Sequence, residues 1–397
     1  MSERLDVFVI CTPGLEALVA AEIEKLGVRN PRPRHGGVDA AVTVPQLWSL
    51  NLRLRAATRV LVRVARFPAD AFATLQAGLR RIDWEEWLRP GTAVDLKVAA
   101  SNSALFHTGA IAERAAEVLG QQGHDVVASA PMDGGDAAAL IGAGPGAPQV
   151  VHLRITRDVV LVSIDSSGSP LYRRGWRLAT AKAPLRETLA AALIAHSEWD
   201  RKAPLVDPFC GSGTIVIEAA LAARRMAAGQ ARAFAFETWP SFDAAGWERM
   251  KAGAAADVVA GKAPIIGADR DEGAIAAARS NAERAGVADA IEFRHASVSD
   301  LALPARAGWI VTNPPYGVRV GDAPGTSPST DLRDLYDRFG AVLRERAAGW
   351  RVELVGAEAD PAAGGALTGR LGLTFDDRLA TTNGGIPVEF LRAHVGV

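Results

Sequence analysis

The side chains best suited to chemistry lie in V-T-N-P-P-Y-G, residues 311 to 317, directly behind the apolar stretch Trp309-Ile310-Val311. Such a stretch reads as a buried strand, so Asn313 emerges where the strand ends. Pro314 and Pro315 fix φ at about −65° and keep the preceding residue out of the α region, which makes the loop stiff. It presents the Asn313 amide, the Pro314 carbonyl and the Tyr316 ring together. Two acceptors beside a flat ring suit a planar amine: each oxygen takes one hydrogen of an exocyclic NH2 while Tyr316 stacks on the attached base. Alone, the tetrapeptide also fits a proline-stiffened turn with Tyr316 in the core.

A second motif narrows the choice. In Leu205-Val-Asp-Pro-Phe-Cys-Gly-Ser-Gly-Thr-Ile-Val-Ile-Glu-Ala-Ala220 a short apolar strand ends in Asp207, a Gly-Ser-Gly turn follows, and a helix starts near Thr214. Gly211 and Gly213 let backbone approach a ligand, and the helix N-terminus favours a carboxylate. The dinucleotide fingerprint fails, because Val216 stands where its third glycine belongs and Asp207 would repel a pyrophosphate. An acid there suits a cationic amine, as in the amino-acid end of S-adenosylmethionine. Between the two motifs, Ala263-Pro-Ile-Ile-Gly-Ala-Asp269 is a strand ending in an acid, placed to accept from ribose hydroxyls. Asp269 or Asp271 also suits the N-cap of the helix through Asn281. A further strand, Ala290 to His295, leads into Ala296-Ser-Val-Ser-Asp300, where a polar side chain would meet an adenine amino group.

Together these motifs resemble the class I S-adenosylmethionine-dependent methyltransferases that methylate amines. The similarity is greatest to the RlmL-type 23S ribosomal RNA guanine-N2 methyltransferases with a THUMP domain. It extends to Ser166-Ser-Gly-Ser-Pro-Leu-Tyr-Arg-Arg-Gly-Trp-Arg177, Ala183-Pro-Leu-Arg-Glu-Thr-Leu-Ala-Ala-Ala192, Phe236-Glu-Thr-Trp-Pro240 and Thr382-Asn-Gly-Gly-Ile-Pro387. The last is similar to the family's closing Lys-Asn-Gly-Pro-Leu. The resemblance implies a catalytic loop of Asn313, Pro314, Pro315 and Tyr316. It implies a cofactor site of Pro184, Asp207, Pro208, Cys210, Gly211, Gly213, Thr214, Asp269, Arg270, Ser297, Val298 and Asn313. One departure stands out: the family carries an acid four residues after the aromatic of its fourth-strand motif, where this chain has Ser297, so the adenine contact lies between Ser297 and Asp300. Some members carry a second methyltransferase behind this unit; this chain ends after the first.

These residues need a scaffold. The resemblance implies an α/β Rossmann-like class I methyltransferase domain, with a mixed, mostly parallel sheet, over 184–397. Ahead of it stand an α+β ferredoxin-like module over 1–66, a THUMP domain over 67–167 and a linker over 168–183. Periodicity supports this order: strands over Leu5–Cys11, Gly37–Val44, Thr58–Arg66 and Ala93–Ala99, helices over Pro13–Leu26, Pro45–Leu54, Ala71–Arg81 and Leu105–Gln121, and a hairpin over 150–165 turning at Arg157-Asp158. The Gly/Ala-rich stretch from Pro131 to Pro148 reads as a surface insertion.

Composition sets bounds. Hydrophobic residues make up 49% and charged residues 22% of 397, with no run of eighteen apolar residues and no export-type N-terminus, so neither a membrane span nor a signal peptide is expected. Cys11 and Cys210 offer neither a disulfide framework nor metal-ligand spacing, so no metal is expected. Cys210 reads as a small residue in the turn. The net charge of −1 does not favour nucleic acid, but eight arginines between 29 and 66 face the single acid Asp39 there. Arg53, Arg55, Arg59 and Arg63, with Arg173, Arg174 and Arg177 of the linker, are therefore the expected RNA contacts.

The resulting expectation is a cytoplasmic, monomeric enzyme that methylates a guanine N2 amine in structured RNA, ribosomal RNA or an assembly intermediate, and releases S-adenosyl-L-homocysteine. Transfer RNA as substrate, adenine-N6 methylation of DNA or RNA, and a non-catalytic RNA-binding assembly factor are the competing readings. The N-P-P-Y motif itself does not separate guanine from adenine.

Overall fold

The computed structural model describes residues 4–131, 147–178, 185–316, 330–357 and 367–396. Most of the expected Gly/Ala-rich insertion, together with Lys182, Pro184 and Gly317, lies outside the described residues. The chain forms two compact units: Met1–Cys11, Val19–Leu171 and Arg232–Ala252 make the first, and Thr12–Leu18, Tyr172–Ala231 and Gly253–Val397 the second.

Eight strands form the sheet of the first unit: β1 (Leu5–Cys11), β2 (Arg32–Arg34), β3 (Gly37–Val42), β4 (Ala57–Pro68), β5 (Val94–Ser101), β6 (Val126–Pro131), β7 (Gln149–Thr156) and β8 (Val159–Asp165). Their spatial order is β2-β3-β1-β4-β8-β7-β5-β6. Helices α1 (Glu16–Lys25), α2 (Val44–Arg53), α3 (Phe72–Arg80) and α4 (Thr108–Gln121) connect them. In β1 the apolar residues Leu5, Val7, Val9 and Cys11 alternate inward, the period-two pattern of a strand buried on one face. Helix α2 starts on a capping box in which Thr43 and Gln46 satisfy each other's backbone N–H groups, with Pro45 in the first turn. The β7–β8 hairpin turns through Arg157 and Asp158, both at positive φ (51° and 58°), the conformation of a tight two-residue hairpin turn.

Three departures from expectation have physical causes. The boundary expected at residue 66 falls inside β4, which pairs with β1 along its first half and with β8 from Leu61 to Pro68, so the two expected modules share one sheet. The twelve-residue length of β4 and a register shift between Arg63 and Ala65 let it serve both halves. Strands β2 and β6 were not expected; both are sheet edges, and β2, exposed throughout, carries no apolar alternation. The third concerns 232–252, which interrupts the run expected over 184–397. Phe234, Phe236 and Trp247 of this stretch are buried with Trp48 of α2, ring centroids 5.1 to 6.1 Å apart, so its aromatic surface belongs to the first core.

The second unit holds β9 (Leu205–Asp207), β10 (Ile265–Asp269), β11 (Ile291–His295), β12 (Trp309–Thr312), β13 (Arg351–Ala357), β14 (Phe375–Asn383) and β15 (Ile386–His394), in the order β11-β10-β9-β12-β13-β15-β14. The first five run parallel, and β15 pairs antiparallel with both β13 and β14. Its helices include α5 (Glu187–His196), α6 (Thr214–Ala223), α8 (Glu272–Ala285) and α9 (Thr330–Arg346), with α7 (Ala244–Ala256) starting in the first unit. Strands as short and apolar as Leu205-Val206 are buried on both faces, the habit of parallel sheets covered by helices. A core of Val206, Ile266, Ile310, Val352 and Leu354 packs under Phe339, Leu343 and Trp350. From β9 the chain steps outward to β10 and β11, then returns to the opposite flank of β9 as β12. That reversal opens a crevice at the carboxyl ends of β9 and β12, where ligands of open α/β sheets bind.

Candidate active site

Asp207 ends β9 and is fully buried, while Thr312 ends the adjacent strand β12; the Thr312 hydroxyl donates to Asp207 Oδ1 at 2.6 Å. The Phe209 N–H donates to the same oxygen at 3.1 Å. Oδ2 is buried and has no hydrogen-bond partner among the described residues. Burial lifts the Asp207 carboxyl to about 7, opposed by the Thr312 and Phe209 hydrogen bonds and reinforced by the nearby Asp269 charge. One residue beyond Thr312, Asn313 Oδ1 is likewise buried without a partner among the described residues. Two free acceptors thus stand at the switch point of the sheet. Leaving a buried acceptor unmet costs about 1–3 kcal/mol, so each marks a place where an incoming N–H donor is rewarded.

The glycine turn sits beside them. Gly213 adopts φ +87° and caps α6 without any side chain, and a Cβ there would lie 3.0 Å from Ala278 of α8. Among the described residues nothing lies within 4 Å of where a Cβ at Gly211 would sit. The turn is held from two sides. Asp269 Oδ2 accepts from the Gly211 N–H at 2.9 Å, and the buried Asn281 of α8 donates to the Ser212 carbonyl at 3.1 Å. Cys210 is buried, with its Sγ against Gly267 of β10, which is the small-residue role read from the sequence.

Asp269 spends its other oxygen on the Asp271 N–H at 2.9 Å, and Asp271, not Asp269, caps α8 by accepting from Gly273 and Ala274. Beyond β11 the loop is tied back: the Ala296 N–H donates to the Asp269 carbonyl, and His295 Nε2 lies 3.0 Å from the Arg270 carbonyl. Ser297 Oγ donates to Asp300 Oδ2 at 2.6 Å, so the two candidates for the adenine contact form one unit. Val298 is buried in the core with Ile310 and Leu301. Pro314 is buried and Pro315 exposed, while the half-buried Tyr316 accepts at its hydroxyl from Asn383 Nδ2 at 2.8 Å.

Several expected RNA contacts are occupied otherwise. Arg174 is buried and its Nε donates to Glu218 Oε1 of α6 at 3.1 Å. Arg59, also buried, is bonded to Asp165 and to the Gly168 carbonyl. Arg177 pairs with Glu187 at 3.0 Å and donates to Thr214 Oγ1 at 2.7 Å, so it braces the start of α6. Arg63 meets Asp39 at 2.6 Å and lies over the Phe8 ring. The structure thus holds Arg59, Arg174 and Arg177, expected as RNA contacts, on carboxylates of the fold itself, where a guanidinium serves packing. Arg53 and Arg55 remain half-exposed and Arg173 exposed. Sequence reasoning missed Thr312 and Asn281, and it flagged the segment of Asn383 without giving it a role. A polar residue inside an apolar strand end and one on the buried face of α8 were the available signals.

A parallel sheet with acids ending β9 and β10, a glycine turn between β9 and α6, and N-P-P-Y behind β12 define a class I methyltransferase. Residues 174–363 match the family model described as "RMKL-like, methyltransferase domain", and residues 6–61 match the RlmL ferredoxin-like domain. The chain belongs to this RMKL-like methyltransferase family. It is 32% identical, over 97% of its length and 95% of the relative's, to a Synechocystis sp. protein described as "Putative RNA methyltransferase". To the ribosomal RNA large subunit methyltransferase K/L of Chromohalobacter salexigens it is 32% identical over 98% of this chain, which spans 52% of that relative, about half its length. Among solved structures, one described as a "putative methyltransferase complexed with SAH" aligns with TM-score 0.82 at 27% identity, covering 99% of this chain and 98% of that one. A "predicted N6-adenine-specific DNA methylase" from Listeria monocytogenes aligns with TM-score 0.80 at 28% identity, covering 98% and 96%. Among the described residues no helix is long and apolar enough to cross a membrane, and no group of three or more His, Cys, Asp or Glu is placed to hold a metal.

Proposed function

We propose that this chain transfers the methyl group of S-adenosylmethionine to the exocyclic N2 amine of a guanine in structured RNA, with 23S ribosomal RNA the favoured substrate. The observation that carries the reading is the pair of unmet buried acceptors, Asp207 Oδ2 and Asn313 Oδ1, at the ends of adjacent strands. The cofactor fits this donor set. Asp207 would hold its ammonium group, the backbone at Gly211 and the side-chain-free start of α6 would receive its carboxylate, and Asp269 would accept from its ribose. When bound, S-adenosylmethionine supplies an electrophilic methyl on a cationic sulfur.

The chain's own residues do the rest. A guanine amine is a poor nucleophile because its lone pair is spread into the ring. Asn313 Oδ1 and the Pro314 carbonyl accept its two hydrogens and favour the pyramidal form, in which the lone pair is localised. Tyr316 stacks on the base and fixes the direction of that lone pair. No strong general base is required, since the methylated amine is acidic enough to lose its proton to water. The target leaves its stack to reach the loop, so unpaired or weakly paired bases are favoured.

Support for RNA comes from the ferredoxin-like match, from the THUMP-like order of elements that follows it, and from the relatives described as RNA methyltransferases. The Listeria neighbour's description favours adenine-N6 chemistry as the second reading. Both are tested together by incubating the protein with labelled S-adenosylmethionine and unmodified ribosomal RNA, transfer RNA or DNA, then analysing nucleosides by mass spectrometry. N2-methylguanosine from ribosomal RNA is expected; N6-methyladenine, or label in transfer RNA alone, would replace this reading.

A further inference from the structure

Tyr316 needs a fixed ring plane to stack a base, yet it follows two prolines on a loop whose backbone alone does not orient a side chain. The sheet supplies the missing constraint. Strand β15 runs antiparallel to β13, with Val388 opposite Ala357, so β15 begins at the edge where the parallel strands end. The turn of Gly384 and Gly385 that joins β14 to β15 therefore lies at the same edge as Asn313, and Asn383, opposite Ile386, is the last residue of β14 before it. From there Asn383 Nδ2 donates to the Tyr316 hydroxyl at 2.8 Å.

Strand β14 is itself anchored one pleat away. The Thr381 hydroxyl donates to the Pro13 carbonyl at 2.8 Å, and Gly14 at φ +93° comes so close that a Cβ there would collide with the Ala380 carbonyl oxygen. All of these residues belong to the second compact unit. This approach also explains why α1 starts at Glu16 and not at Pro13 as periodicity suggests: Gly14 leaves the helical region, and its N–H donates to the Glu16 carboxylate at 2.8 Å. A segment far away in sequence thus steadies the strand that steadies the ring.

We propose that Asn383 is a positioning residue: its hydrogen bond to the Tyr316 hydroxyl sets the ring plane on which the target base stacks. This rests on the reading of the N-P-P-Y loop given above. Two readouts separate the claim from that reading. The chain has three tyrosines, so protein labelled with 13C at the tyrosine ζ carbon gives three signals, the Tyr316 signal being assigned with Tyr316→Phe. Asn383→Ala should move the Tyr316 signal and leave that of Tyr172 in place; an unmoved Tyr316 signal overturns the proposal whether or not any RNA is methylated.

The second readout is single-turnover methyl transfer. Asn383→Ala and Tyr316→Phe should each slow it about five- to tenfold, the double variant no further, because both remove the same bond. Asn383→Asp should restore most of the rate, since its carboxylate accepts from the tyrosine hydroxyl, and should restore nothing in the Tyr316→Phe background. S-adenosylmethionine affinity should hold throughout. Additive losses, or a wild-type rate in Asn383→Ala, overturn the positioning role. Wild-type protein that moves no methyl to RNA overturns the function instead, while the tyrosine signal still decides the role of Asn383.

Discussion

The carboxyl edge of the second sheet and the arginine-bearing segments contrast in how they use polar groups. At the sheet edge, Asp207 and Asn313 each keep one buried oxygen without a partner among the described residues. In the segments picked out for their cations, Arg59 and Arg174 are buried and fully engaged, to Asp165 and Glu218. Residue type was equally suggestive in both places. What separates them is residual bonding capacity: an unmet acceptor at the ligand-binding edge of the sheet is held at a cost that a bound donor would offset, whereas a matched ion pair inside the core serves the fold.

The largest effect expected from this contrast falls on the structural side. Arg174→Ala takes from the buried Glu218 the guanidinium that donates to it, and removing one member of a buried ion pair costs about 3–5 kcal/mol. Denaturant unfolding should show that loss, while the salt dependence of RNA binding by the folded fraction stays unchanged. A stable Arg174→Ala protein with weakened RNA binding would return Arg174 to the RNA surface and erase the distinction.

Next comes Asn313→Ala. It removes an acceptor that has no partner among the described residues, so it should leave folding and cofactor affinity nearly intact and raise the barrier by about 3 kcal/mol, a loss of roughly a hundredfold in turnover. Asn313→Asp still accepts from an amine but puts a charge beside the reacting centre, and partial activity is expected. Wild-type single-turnover rates in the alanine variant would remove Asn313 from the chemistry.

How far the sequence exposed all this depends on the kind of signal each residue carries. The ends of β9, β10 and β12 were legible because apolar runs stop abruptly at Asp207, Asp269 and Thr312-Asn313, and strand ends in a parallel sheet converge on one edge. Helices α2 and α4 were legible from apolar spacing. The partners Thr312, Asn281 and Asn383 were not, because a hydrogen bond across 105, 69 or 67 residues leaves no local pattern. Nor was the fate of the arginines: pairing with Glu218 or Asp165 depends on which faces the fold brings together, and a count of charges in a window is blind to it. The aromatic stretch at 234–247 read as part of the second unit for the same reason, its core partner Trp48 lying far upstream.

The third prediction uses the unmet oxygen of Asp207 directly. Burial holds this carboxyl at about 7, above the ordinary carboxylate range, so the folded protein without cofactor keeps a proton there that the unfolded chain releases earlier. The stability it contributes is present below the ordinary carboxylate range and is lost as pH rises through about 7. Binding of a cationic amine has the opposite sign, because it requires the ionised form. S-adenosylmethionine affinity measured by calorimetry should therefore rise about tenfold per pH unit up to the titration of Asp207, and fall again above about pH 8, where the ligand's own α-amino group loses its proton. Asp207→Asn should bind weakly at every pH, without that slope. A flat affinity profile in the wild type would move the ammonium away from Asp207.

The smallest effect expected lies with the arginines that the fold leaves accessible. Arg53 ends α2 and Arg55 lies two residues on, both half-exposed in the first unit. If these two guanidiniums neutralise substrate phosphates, replacing both with alanine should weaken RNA binding similarly across sequences. The slope of log affinity against log salt should then fall by about one unit for each phosphate left without its arginine. Such pairing is screened and exposed, so at physiological salt the effect of each arginine stays well below that of Asn313→Ala on turnover. Arg59→Ala is the matched control from the same segment. Its guanidinium is bonded to Asp165 inside the sheet, so it should lower the unfolding temperature and leave the salt slope of the folded protein untouched. An equal change of slope in Arg59→Ala and in the Arg53/Arg55 double variant would mean that burial does not divide the arginines of this segment, and the contrast between buried and half-exposed charge would fail where it is easiest to measure.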